Sequence, residues 1–247
     1  MSLGPVVDAY LGELVARLRA ALGDRLVGVW LFGSGALGDF DAARSDLDVQ
    51  AVAIDALGLP ERERLVAALS HEALPCPVRG LELVLYARDD LARASGPAFQ
   101  LNLNTGPRMD RHVAFDPADD PAFWFVLDAA IGREAGRALT GPPAAEVFPP
   151  LPRGLVLAAL REALAWHRDN DPSGAQAVLA ACRAWAWAES GRWLPKGAAA
   201  EWAVARLEDP SAVVAALACR ADPAAPPPEA EGVAAVVARA GAVLAAA

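Results

Sequence analysis

The sequence predicts an α+β chain in two parts, with strands and helices interleaved up to about residue 148 and helices alone beyond it. Three observations predict this. An apolar run from Leu26 to Phe32 stops at Gly33-Ser34, and a second begins at Asp46 and continues through Leu47, Val49, Ala51, Val52 and Ile54. A third run, Arg79 to Ala87, sets Leu81, Leu83 and Leu85 on one face and Glu82 and Val84 on the other, the period-two signature of a strand. After a run of prolines at 142, 143, 149, 150 and 152, only helical periodicity remains. The boundary is placed at 148, giving parts 1–148 and 149–247.

The elements follow in order. Val6, Tyr10, Leu11, Leu14, Leu18 and Leu22 recur at helical spacing, and Pro5 suits a first helical turn, so residues 5–22 read as a helix. The Leu26–Ile54 stretch then reads as strand, glycine turn, short helix or loop, and strand. Residues 60–73 read as a helix ended by Pro75-Cys76-Pro77, and the strand at 79–87 follows. Phe99 to Leu103 reads as a short strand and Asn104-Thr105-Gly106-Pro107 as a turn. Asp119-Asp120-Pro121 opens a helix predicted over 122–139, stopped by Gly141-Pro142-Pro143. Helices are predicted at 153–168, 173–190, 196–207, 210–221 and 230–246, the last set off by the proline-rich segment 223–228. No internal repeat is visible.

The chain has 247 residues, enough for a sizeable core, with 55% hydrophobic and 21% charged residues. That composition excludes general disorder. A net charge of −9 argues against tight non-specific binding to nucleic acid, which needs Lys and Arg to neutralise phosphates, and suits a small cationic partner. Three cysteines in no metal-ligand spacing read as reduced core thiols. The N-terminus has no basic-then-apolar leader and no apolar run reaches membrane length, so the expectation is a monomeric cytoplasmic protein.

The chemistry concentrates at 26–54. Side chains alternate along a strand, so Asp46 and Asp48 share a face, and two carboxylates there repel unless a cation lies between them. Mg2+, an oxygen-seeking ion held by one or two carboxylates plus substrate phosphates, resolves the conflict. Gly33 allows close backbone approach of a phosphate, Ser34 and Ser45 offer hydroxyls, and a helix starting after Ser34 would aim free N–H groups at an anion. Taken singly, Ser45-Asp46 also suits a cap and Asp48 a solvated strand position. Glu82, alone in an apolar strand, is either turned to solvent on an edge or placed beside the aspartates as a metal ligand or general base.

The joint pattern of strand, Gly33-Ser34, 11 intervening residues (35–45) and Asp46-Leu47-Asp48 resembles the signature of the DNA polymerase β-like nucleotidyltransferase superfamily. Over about 25–210, GSGALGDFDAARSDLDVQAVAI, LELVLYARDDL, GREAGRALTGPPAAEVFPPLP and LAACRAWAWAESGRWLPKGAAAEWAVARL resemble the aminoglycoside 3''-/9-adenylyltransferases, the streptomycin and spectinomycin resistance enzymes. The resemblance implies a nucleotidyltransferase domain, with a mixed sheet and flanking helices, followed by an all-α bundle. It implies Mg2+-dependent transfer of AMP from ATP to a hydroxyl of a cationic or polyhydroxylated antibiotic, releasing pyrophosphate. Asp46 and Asp48 would hold Mg2+, and Glu82 would be the base that activates the drug hydroxyl. Gly33, Ser34 and Ser45 would contact ATP, joined by Arg183 and Lys196, whose 13-position separation (196 minus 183) is the family's.

The drug-binding segment matches less closely. Trp166, Asp169 and Asp171 fall where the family places a Trp and acidic residues; the two aspartates either pair with drug ammonium or guanidinium groups or cap the helix at 173. A second family Trp falls near Asn104, which puts streptomycin in doubt as the acceptor. Trp185, Trp187, Trp193 and Trp202 read as interdomain core. Two other readings stand beside this one. The first is a protein acceptor, as in toxin–antitoxin AMPylation, suggested by the Arg-x5-His spacing of Arg161 and His167. The second is a nucleotide-binding regulator without turnover.

Overall fold

A computed structural model describes every residue except Met1, Ala94, Pro172 and Pro223. The chain divides into two compact units, residues 1–151 and 152–247. Pro223 apart, the proline-rich stretch 223–228 lies within the described residues.

The first unit is built on a six-stranded mixed sheet. In chain order its elements are α1 (Pro5–Leu22), β1 (Leu26–Leu31), α2 (Gly33–Leu37), β2 (Leu47–Ala53), α3 (Leu59–Leu69), β3 (Leu81–Ala87), β4 (Phe99–Gly106), β5 (Met109–Ala114), α4 (Ala122–Ala135), β6 (Arg137–Thr140) and α5 (Ala144–Val147). The strand order is β5-β4-β3-β2-β1-β6. Only β2 and β3 pair in parallel, which requires the crossover that α3 supplies. Period-two alternation sorts the side chains between two faces. Val29, Leu31, Leu47, Val49, Leu83, Leu85, Leu101 and Leu103 meet α1 and α3 in one core layer. Trp30, Phe32, Val52, Val84, Tyr86 and Phe99 meet Phe125 and Ala129 of α4 and Ala144 of α5 in the other. Phe148 is fully buried in the second layer, its ring centroid 5.3 Å from that of Trp30 and 5.1 Å from that of Phe32.

In the first unit four boundaries differ from the sequence expectation by two or more residues. The helix predicted to 139 ends at Ala135: Gly136 turns out of helical geometry (φ −59°, ψ 130°), and residues 137–140 form an edge strand against β1. Phe99 to Leu103 is the first part of a longer strand running to Gly106, and the turn shifts to Pro107-Arg108, because Gly106 pairs with Met109 of the unpredicted β5. The helix predicted over 60–73 stops at Leu69, where the Ser70 hydroxyl donates to the Val66 carbonyl at 2.6 Å. The strand expected from Arg79 starts at Leu81.

The second unit is all helical: α6 (Arg153–Asn170), α7 (Ala175–Ser190), α8 (Lys196–Val204), α9 (Ser211–Ala221) and α10 (Ala230–Ala246). α7 is its axis, with buried residues on almost every position from Ala175 to Ala188. Its alanines permit close helix packing, and its tryptophans fill the gaps. Trp185 meets Trp202 edge-on at 5.2 Å, and Trp187 stacks on Trp193 at 5.0 Å. Arginines cap these indoles: Arg153 on Trp187, Arg206 on Trp202 and Arg239 on Trp185. Cys76 and Cys182 are buried, and burial pushes the Cys182 thiol up to about 12, so it has little thiolate character. Among the described residues no helix is long and apolar enough to cross a membrane.

Phe148 closes the core layer beneath α5, so removing its ring leaves a cavity among Trp30, Phe32 and Tyr86. Phe148→Ala is expected to cost about 3–5 kcal/mol of unfolding free energy, read from the denaturant midpoint.

Candidate functional site

The site is assembled at one end of the sheet, where β2 and β3 begin. The parallel register sets Asp48 directly opposite Glu82, each the second residue of its strand. Both therefore project to the same face, and both are half-buried. Continuing across the sheet, Glu82 pairs with Asn104 of β4, and Asn104 with His112 of β5. Asp46 lies just before β2 on the same face, as its two-residue spacing from Asp48 requires, and its Oδ2 accepts from Arg79 Nη1 at 2.6 Å.

The Gly33-Ser34 turn closes over this end. Phe32 N–H donates to the Asp48 carbonyl at 2.8 Å, so the chain still runs beside β2 as it enters the turn. Gly33 has φ +53°, and a Cβ there would fall 1.8 Å from Asp48 Oδ2, so only glycine fits between the turn and the carboxylate. The Ser34 hydroxyl is buried and has no hydrogen-bond partner. Ser45 is already engaged: its Oγ accepts from Asp41 N–H at 3.0 Å and its N–H donates to the Asp41 carbonyl at 2.7 Å, folding the 41–45 loop.

Among the described residues no group of three or more His, Cys, Asp or Glu is gathered to hold a metal ion by itself. The donors at the strand ends are carboxylate oxygens at alternate positions. That set fits a hard cation that completes its shell with water and substrate phosphates, as Mg2+ does.

A polar cluster missed in the sequence lies farther along the same face. Asp120 accepts from Asn102 Nδ2 at 2.9 Å and pairs with His112 Nε2 at 2.9 Å. No signal marked it, because Asn102 and His112 sit in a hairpin whose second strand was not anticipated.

The helical unit gathers a second charged group. Burial, together with the nearby cations Lys196 and Arg183, pushes the His167 imidazole down to about 4, with Asp171 opposing. His167 on α6, Arg183 on α7 and Lys196 at the start of α8 are thus near neighbours. Lys196 Nζ also donates to Gln176 Oε1 at 2.9 Å. Trp166 is exposed and meets His167 edge-on at 5.2 Å. Asp171 serves as a cap for α7: Oδ2 accepts from Gln176 and Ala177 N–H at 2.7 and 3.0 Å, and Oδ1 from the Ser173 hydroxyl at 2.8 Å. Asp169 is exposed and paired with Arg168 at 2.7 Å. Arg161 turns its guanidinium to the Leu244 carbonyl of α10.

The chain is similar to known proteins over most of its length. An aminoglycoside (3'')(9) adenylyltransferase of Klebsiella pneumoniae is 31% identical over 214 residues, covering 81% of this chain and 79% of that protein. The chain belongs to the aminoglycoside (3'')(9) adenylyltransferase family. A family member from Rhizobium radiobacter is 35% identical over 139 residues, covering 53% of this chain and 50% of its own. The family model described as "Aminoglycoside adenylyltransferase, C-terminal domain" matches residues 146–242, which include most of the helical unit. A spectinomycin adenyltransferase from Enterococcus faecialis, solved with ATP and spectinomycin, shares the fold with a TM-score of 0.69 at 18% identity, covering 96% of this chain and 99% of that one. The chain is therefore an adenylyltransferase-family enzyme, as its motifs imply.

The His167 environment has a pH consequence for the family fold. In the unfolded chain a histidine takes its proton near 6.5, but here only near 4. Between those values the unfolded state binds more protons, so stability is lost as pH falls from 6.5 toward 4. The thermal midpoint is expected to drop more between pH 7 and pH 5 in the wild type than in His167→Gln.

Proposed function

We propose that this chain transfers AMP from Mg2+-bound ATP to a hydroxyl of a spectinomycin- or streptomycin-class antibiotic, with release of pyrophosphate. The observation that carries the reading is the register pair Asp48–Glu82 beneath the Gly33-Ser34 turn. It supports reading Asp48 as a metal ligand, Glu82 as the base and the turn as a phosphate cradle, since all three lie at one end of the sheet. Family membership and the substrates named for the relatives support the acceptor class.

The residues divide the work. Gly33 brings backbone to within reach of the triphosphate, and the Ser34 hydroxyl, buried without a partner, donates to a phosphate oxygen. Ser45 keeps its own O–H for the same use while its oxygen holds the loop. Asp46 and Asp48 would hold Mg2+, which would supply the positive charge that offsets repulsion between the phosphates and both carboxylates. Arg183 and Lys196 add the cationic groups that a triphosphate and a departing pyrophosphate need, Arg as a planar fork and Lys as a point charge. Burial leaves His167 neutral beside them, so it adds no third charge to be repelled in the empty protein. Glu82 accepts the proton of the substrate hydroxyl as that oxygen attacks the α-phosphorus, and the bond to pyrophosphate breaks in line. Trp166 and Asp169 are proposed to face the acceptor, the exposed indole as a stacking surface and the carboxylate as a partner for a drug cation. Asp171 joins them only beyond its capping role.

Two substitutions test the division. Glu82→Gln is expected to lower kcat by about 10²–10⁴ while ATP binding persists. Asp48→Asn should abolish AMP transfer, measured as pyrophosphate release with spectinomycin or streptomycin, and leave the circular dichroism spectrum unchanged. Full activity in Asp48→Asn would remove the metal assignment. Separately, Arg183→Ala and Lys196→Ala are expected to raise KM for ATP more than KM for the antibiotic.

A further inference from the structure

Arg79 forms an ion pair with the proposed metal ligand Asp46, and nothing in the adenylyl-transfer reading uses it. Its Nη1 lies 2.6 Å from Asp46 Oδ2, with Asp46 at 22% side-chain exposure and Arg79 at 47%. The contact engages a single oxygen; Asp46 Oδ1 accepts no hydrogen bond among the described residues.

The backbone that carries Arg79 is fixed from both sides. Leu47 N–H, one residue from Asp46, donates to the Gly80 carbonyl at 2.9 Å, and Arg108 N–H in the β4–β5 turn donates to the Arg79 carbonyl at 3.1 Å. Gly106 presses on the same point: a Cβ there would lie 2.3 Å from Gly80 Cα and 2.6 Å from the Arg79 oxygen. The segment thus ties the start of β2 to the hairpin, and the guanidinium is presented to Asp46 from a backbone that cannot drift.

We propose that Arg79 is a positioning residue of the metal site: it holds Asp46 by Oδ2 and presents Oδ1 to the divalent cation. This rests on the reading of Asp46 and Asp48 as cation ligands. Before the cation arrives, Arg79 also neutralises one of two like charges two residues apart on one face. Two effects of its removal oppose each other. Losing a nearby positive charge strengthens cation binding, but through water and physiological salt only by a few-fold. Losing the group that orients a ligand weakens it by about 10–100-fold. The second is larger, so the arginine helps the metal bind although it carries the same sign of charge.

The test is Mn2+ binding, followed by electron paramagnetic resonance of the free ion, with an ATP analogue that cannot transfer its adenylyl group. Arg79→Ala is expected to raise the Mn2+ Kd about tenfold or more, with the thermal midpoint unchanged, and Arg79→Lys to recover most of the loss. Analogue binding measured in the presence of chelator should be the same in wild type and Arg79→Ala. Equal or tighter Mn2+ binding by Arg79→Ala overturns the proposal. So does an equal loss of analogue affinity without metal, which would make Arg79 a phosphate ligand. If wild type binds Mn2+ no better than Asp48→Asn, the metal reading itself fails and the proposal falls with it.

Discussion

Everything at the candidate site depends on β2 and β3 running in the same direction. Asp48 and Glu82 each stand second in their strand. Antiparallel pairing would send them to opposite ends of the sheet, about four or five residues apart along a rise of roughly 3.3 Å each. Parallel pairing brings them level on one face. The cost is a long crossover, met here by α3 packing its Leu65, Val66 and Leu69 beneath the sheet. The apolar layer on that side is therefore what holds the two acidic residues level on adjacent strands. The glycine turn after β1 adds a second constraint from above, since it leaves Asp48 no room to withdraw.

The helical unit answers a different electrostatic problem. Arg183 and Lys196 are cations on neighbouring helices, and His167 near both is kept neutral chiefly by burial. A protonated imidazole there would repel both. Lys196 is steadied by Gln176, the second residue of α7, and that same start is closed by the Asp171 carboxylate. The helix carrying Arg183 is thus anchored at its N-terminal end by an acid that the sequence also offered as a drug ligand. Capping and ligand binding compete for that carboxylate's oxygens, and four hydrogen bonds, three from backbone N–H groups and one from the Ser173 hydroxyl, already use both.

The parts of the fold that could be read from the sequence are those where one face is continuously apolar. The α1 helix, the runs of β1, β2 and β3, and all five helices of the second unit follow from apolar spacing, because burial enforces the period. The grouping of polar residues at the strand ends was legible for a related reason: Gly33, Ser34, Asp46 and Asp48 break an apolar pattern at fixed intervals, and Glu82 interrupts Leu81-Leu83-Leu85. The hairpin strand β5, MDRHVA, was not legible, since its burial is slight at all but one end. The four residues of β6 are too few to show a period, and they followed a helix whose propensity hid its stop at Gly136. The Arg79–Asp46 pair and the Asn102–His112–Asp120 cluster depend on strand neighbours far apart in sequence, which composition and spacing do not encode. The tryptophans of α7 and α8 were visible as core, but their pairing with each other needed the helix packing.

The late return of the chain to the sheet bears on how the first unit can be handled alone. β6 covers the outer edge of β1, six residues of which four are fully buried. A fragment cut after α4, where a helical reading of 122–139 would invite a break, strips that cover. It leaves a flat row of unpaired N–H and C=O groups flanked by Val29, Trp30 and Leu31, the kind of edge on which strands of other molecules add. It also loses Phe148 from beneath Trp30 and Phe32. Such a fragment would aggregate on expression, and its insolubility would say nothing about the nucleotide chemistry. The smallest self-contained piece runs through Leu151.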